Sequence, residues 1–131
     1  MITIKSYTDI HQSKKLAEIL PTESADMAWC NNFIKGIDYA DKYSANLYAV
    51  KEMKETFDKE LAGWDKYWKL IPCWSLAALL SVFPNGYVIV KNYHSFYFVE
   101  SRDHEKSTNI FNNSIDACVE MILKLHEQNL L

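Results

Sequence analysis

The chain has 131 residues, 49% of them hydrophobic and 14% aromatic, with a net charge of −3. That length and apolar content describe one domain with a core that needs no disulfide staples. The mild acidity excludes an electrostatic pull toward nucleic acid or anionic membrane, and a single arginine, Arg102, leaves little of the planar fork that grips phosphate.

Residues 2–5 alternate as a short strand or an unpaired tail. Thr8 or Asp9 then caps a helix with Ile10, Leu16, Ala17, Ile19 and Leu20 on its apolar side, and Pro21 ends it. Thr22 or Ser24 caps a second short helix, with Ala25, Met27, Ala28, Cys30 and Phe33 as its apolar face and Gly36 as its stop. Residues 37–46 are polar and tyrosine-rich without a period and read as a loop. From Leu47 the spacing of Val50, Met53, Phe57, Leu61, Trp64, Trp68 and Ile71 is helical, which predicts a helix over about 47–62 that resumes after Gly63. A short strand at Tyr48-Ala49-Val50 is the competing reading.

Pro72 suits the first turn of a further helix, with Ser75 as the alternative cap. Residues 75–83 are apolar nearly all round, which predicts burial on most sides. Pro84-Asn85-Gly86 reads as a turn. Tyr87–Val90 and Phe96–Val99 are β-branched and aromatic runs and predict an antiparallel hairpin. Its two faces carry Tyr87, Ile89, Tyr97 and Val99 on one side and Val88, Val90, Phe96 and Phe98 on the other. Residues 102–107 form a charged loop, and 108–111 add a third strand. Asn113 or Ser114 caps the last helix, with Asp116 in its first turn. Ile115, Cys118, Val119, Ile122 and Leu125 make its core stripe, and Glu120 with Lys124 a surface pair.

Four segments resemble a family of small proteins found in gut bacteria and in their mobile elements and phages. They are Ser6 to Pro21 (SYTDIHQSKKLAEILP), Glu23 to Met27, the block Ile71 to Leu80 (IPCWSLAALL), and Ser114 to Glu127 (SIDACVEMILKLHE). The likeness covers both ends and most of the second half, and is weaker from Lys35 to Phe57. Ser114 stands where many members of that family carry proline, and serine starts a helix adequately. The resemblance implies a shared architecture and a mobile-element context. The family brings no assigned activity, so no catalytic residue is transferred.

The residues themselves assemble no catalytic, cofactor or metal set. Gly36, Gly63 and Gly86 are too far apart for a phosphate cradle, and Cys30, Cys73 and Cys118 fit neither a disulfide framework nor a metal knuckle. His11, His94, His104 and His126 lack tight ligand spacing. Asp38 with Asp41 and Asp103 with Glu105 lack the apolar surroundings that raise a carboxyl pKa. Cys73 beside Trp74 at a helix start is the sharpest chemical candidate, a thiol activated by the helix dipole with His94 or His104 as base. Its bland alternative is a small hydrophobe under the helix.

Trp64, Tyr67, Trp68 and Trp74 form the densest aromatic cluster, and Tyr87 and Tyr97 add aromatics on the hairpin. These six are the candidate interaction surface, since Trp and Tyr concentrate where proteins dock. An amphipathic stripe closing over the core is the competing reading of the tryptophans. The expectation is therefore an α+β protein, three to four helices packed on a small antiparallel sheet of two to three strands, in a single domain over 1–131. It is expected in the cytoplasm, because the N-terminus lacks a signal-like apolar run and no block is long enough to cross a bilayer. Its expected role is a non-enzymatic accessory or protein-binding module, with another protein or a second copy as partner and no cofactor. The alternatives are a small hydrolase or transferase using Cys73, and a nucleic-acid-associated protein.

Overall fold

The computed structural model describes residues 5–32, 44–47 and 68–131. They build an α+β protein of three α-helices and five strands, the strands in two antiparallel sheets. The chain divides into two compact units, one of Asp9–Trp74 and one of Met1–Thr8 with Ser75–Leu131. No helix among the described residues is long and apolar enough to cross a membrane.

In the first unit, helix α1 (Ile10–Ala17) starts where a cap was expected. The Asp9 carboxylate accepts from the Gln12 N–H at 2.8 Å, and the Gln12 side chain accepts from the Asp9 N–H at 3.1 Å, a reciprocal capping box. The helix stops at Glu18, short of Pro21. Leu16 and Leu20 are buried, whereas Ala17 is exposed.

The second helix is not formed. Thr22–Ser24 is one 3-10 turn, closed by the Ala25 N–H on the Thr22 carbonyl. The chain then enters strand β1 (Met27–Asn32). Met27 and Ala28 point to opposite faces of that strand and both are buried. A strand covered on both faces shows no alternation, and its apolar run imitates a helical face.

Strand β2 (Ser44–Leu47) takes the end of the segment read as loop, and Leu47 belongs to it rather than to a helix. Strand β3 (Trp68–Cys73) takes Trp68 and Ile71 out of the expected helical stripe. The remaining parts of the 37–46 loop and the 47–62 helix lie outside the described residues. The sheet order is β2-β1-β3, with Ala28 opposite both Asn46 and Pro72. Pro72 is therefore not the first residue of a helix. It sits on the edge strand, where the ladder tolerates a residue without an N–H. Helix α1 packs against β3.

In the second unit, Ser75 caps helix α2 (Leu76–Val82), its hydroxyl accepting from the Ala78 N–H at 3.3 Å. Only Ala78 and Leu79 are buried, and Leu80 is 43% exposed, so the expected burial on most sides does not occur. A turn follows at Asn85–Gly86, where Gly86 takes φ +93°, a conformation that side chains disfavour. The hairpin is formed by β4 (Tyr87–Lys91) and β5 (Tyr97–Ser101). In place of a third strand, the 106–111 segment meets β5 through isolated bridges at Ser107 and Phe111.

Helix α3 (Ser114–Glu127) is capped by the Asn113 side chain, which accepts from the Asp116 N–H at 2.8 Å. The Asp116 carboxylate, in the first turn, accepts from the Lys5 ammonium at 2.8 Å. All five stripe residues, Ile115, Cys118, Val119, Ile122 and Leu125, are buried, joined by Ala117 and Met121. Glu120 and Lys124 do not pair with each other. Glu120 accepts from the backbone and side-chain nitrogens of Asn109, and Lys124 donates to the Ser107 carbonyl. Both ties bind the helix to the segment beside β5.

A candidate interaction surface on the hairpin

The hairpin register places Tyr87 opposite Ser101, Val88 opposite Glu100, Ile89 opposite Val99, Val90 opposite Phe98 and Lys91 opposite Tyr97. Directly opposed residues share a face. Tyr87, Ile89, Lys91, Tyr97, Val99 and Ser101 are therefore on one face, and Val88, Val90, Phe98 and Glu100 on the other. Val99 is fully buried and Ser101 nearly so, and β5 lies against α3, so the first face is the core side.

The second face looks outward. Val88 is 40% exposed and Phe96, which continues the register opposite Asn92, is 42% exposed. Val90 and Phe98 lie between them, half-buried. The connecting loop is held by the Asn92 side chain, whose oxygen accepts from the N–H groups of His94 and Phe96 at 2.9 and 3.1 Å. That local turn places Tyr93 entirely in solvent. Four apolar side chains on one ladder face, with a free tyrosine at its tip, form an exposed apolar strip.

The six candidate surface residues separate. Trp74 is completely buried, and its indole N–H donates to the Ser24 hydroxyl at 2.9 Å. It is a core residue, because a large ring with one satisfied donor is stable in an interior. Tyr87 and Tyr97 are half-buried on the core-side face of the hairpin. Tyr87 stacks on Phe83 with ring centroids 5.8 Å apart, and the Lys91 ammonium lies 5.8 Å from the Tyr97 centroid. The exposed face is thus the opposite one, and Val88 and Phe96, outside the six candidates, are the residues most open on it. The alternating pattern named both faces, but nothing in it says which is covered. Trp64 and Tyr67 lie outside the described residues, and of Trp68 the structure describes only its place in β3.

The thiol candidate fails on position. Cys73 ends a strand instead of opening a helix and has no solvent exposure, so it lacks both the dipole and the access that a nucleophile needs. Cys118 is also a buried reduced thiol, and loss of solvation pushes its pKa up to about 12. The two proposed bases are at the surface. His94 is in the hairpin loop, and His104 Nδ1 is 3.3 Å from a Glu100 carboxylate oxygen. Among the described residues no three histidine, cysteine or carboxylate groups stand together as metal ligands would.

One shallow cleft of about 410 Å³ opens at the far end of the hairpin, lined by Asn85, Gly86, Tyr87, Ser101, Arg102 and Asp103. It holds the only arginine of the chain. The Ser101 hydroxyl donates to the Asp103 carboxylate and the Glu105 N–H donates to the same oxygen, which holds that carboxyl below its usual range. These bonds are internal to the loop and shape it. No protein-family model, curated protein or solved structure matches the chain.

Proposed function

We propose that this chain is a non-enzymatic accessory protein of mobile-element or phage type, acting in the cytoplasm by binding another polypeptide through hairpin β4–β5. One observation supports the reading. The hairpin has apolar side chains on both faces, and the outer set, Val88, Val90, Phe96 and Phe98, is left partly in water. Each exposed aliphatic or aromatic group gains roughly 1–2 kcal/mol when a partner covers it, which gives a small strip enough energy to matter.

The test is a tagged pull-down from the native cell, with wild type beside the double variant Val88→Lys, Phe96→Ser. Both positions are exposed, and a lysine at position 88 stands across the ladder from Glu100, so the fold tolerates the change. A polypeptide enriched by wild type and lost from the variant supports the reading. Equal enrichment by both shows that the hairpin face is not the docking surface.

A further inference from the structure

In an antiparallel ladder, successive residues turn their backbone groups alternately to one neighbour and to the other. On β5, Tyr97 exchanges both of its groups with Phe111, at 2.7 and 2.8 Å. Val99 accepts from the Thr108 N–H at 2.9 Å and donates to the Thr108 hydroxyl at 3.0 Å, and Ser101 donates to the Lys106 carbonyl at 2.8 Å. These three residues therefore face away from β4. Their opposites in the register are Lys91, Ile89 and Tyr87. Those residues in turn aim three N–H and three C=O groups away from β5. No described residue bonds to any of the six, and among the described strands β4 ends the sheet on that side.

We propose that this open edge of β4 pairs antiparallel with β4 of a second copy of the chain, centred on Ile89. The inference rests on the hairpin being the binding element and names its occupant. In this register Ile89 meets the same residue of the partner, and Tyr87 and Lys91 each meet the other. All six outward groups of each strand are then matched. The charge pattern favours the same arrangement. Lys91 is the only charge on β4, and within the hairpin it already lies beside the ring of Tyr97, directly across the ladder. The antiparallel pairing repeats that lysine–tyrosine contact with Tyr87 of the other copy. A parallel pairing would set two lysines side by side, and an antiparallel slip of two residues would leave edge groups unmatched. The product is a four-stranded sheet whose outer strips, with Val88 and Val90 from each copy, become continuous.

A five-residue edge buries less than a standard interface, so the dimer forms in the micromolar to millimolar range. The test is sedimentation velocity of the full chain over that range, with amide hydrogen exchange measured at its two ends. Wild type should pass from monomer to dimer. The Ile89 and Lys91 amides should slow at least about tenfold with concentration, while Val88 and Val90, bonded to β5, stay protected throughout. Lys91→Pro deletes one edge donor that β5 does not use and should shift dimerisation to higher concentration. A monomer at every concentration overturns the proposal, and so does a dimer whose Ile89 and Lys91 amides remain unprotected. If the proline variant misfolds, exchange on the wild type decides alone. Whether the hairpin reading survives such a failure is decided separately by the Val88→Lys, Phe96→Ser pull-down.

Discussion

Replacing Ile122 with alanine removes three carbons from a site with no solvent exposure, in the middle of the α3 stripe. At about 0.8 kcal/mol per buried methylene the lost transfer energy is about 2.4 kcal/mol. Three carbons leave roughly 80 Å³, and at about 24 cal/mol per Å³ an unrelaxed cavity adds up to about 2 kcal/mol. The cost is therefore about 2–4 kcal/mol. Val88→Ala, two carbons from a position 40% exposed, should cost under about 1 kcal/mol. Urea unfolding followed by far-ultraviolet circular dichroism reads both, because among the described residues α3 holds 14 residues against 8 and 7 in α1 and α2. The midpoint should fall sharply for Ile122→Ala at unchanged slope. A loss below about 1 kcal/mol there, or an equal loss at Val88, would refute the assignment of α3 as core and of β4's outer face as surface.

The Cys118 pKa of about 12 lies above the ordinary 9.0, so the folded state holds this proton more tightly than the unfolded chain does. Its contribution is intact below pH 9 and is lost at about 1.4 kcal/mol per unit as the pH rises toward 12; denaturation over that range should be flatter for Cys118→Ala than for wild type. Asp103 is held below its usual range first by the Ser101 hydroxyl, so its contribution is present above the ordinary carboxylate pKa and vanishes only as pH falls through the lowered value. Carboxyl NMR titration should show Ser101→Ala moving Asp103 upward; no movement would deny the hydroxyl that role. Ser24→Ala removes the acceptor of the Trp74 indole at 2.9 Å and should cost about 1 kcal/mol with a shift in tryptophan emission, and an unchanged spectrum would contradict that bond.

In the second half of the chain, the hairpin and helix α3 were legible because each states its structure locally, whereas the all-round burial of 75–83 and a third strand at 108–111 did not follow. Residues 115–125 repeat at threes and fours, Asn113 caps them, and the β-branched runs at 87–90 and 96–99 bracket a turn-forming loop. Past helix α1 and its Asp9 cap, the first half was not, because its strands depend on partners distant in sequence. Met27-Ala28 and Trp68 to Ile71 carry spacings that fit a helix, and only the pairing of β1 with β3 makes them strands. Trp74 was unreadable for a related reason, since aromatic content alone does not separate a core ring from a docking one. The surface itself was half legible. Alternation sorted the hairpin residues into two faces correctly, but exposure depends on α3, which comes to lie against β5 and covers only one of them.

The central claim, that the outer face of the hairpin meets a polypeptide, is tested most directly by placing a photo-crosslinking phenylalanine analogue at Phe96 and irradiating living cells of the native host. The account predicts one discrete adduct from position 96, either a second copy or one other protein, and none from the same group at the exposed loop residue Glu105. No adduct at position 96, or the same diffuse products from both positions, would contradict it.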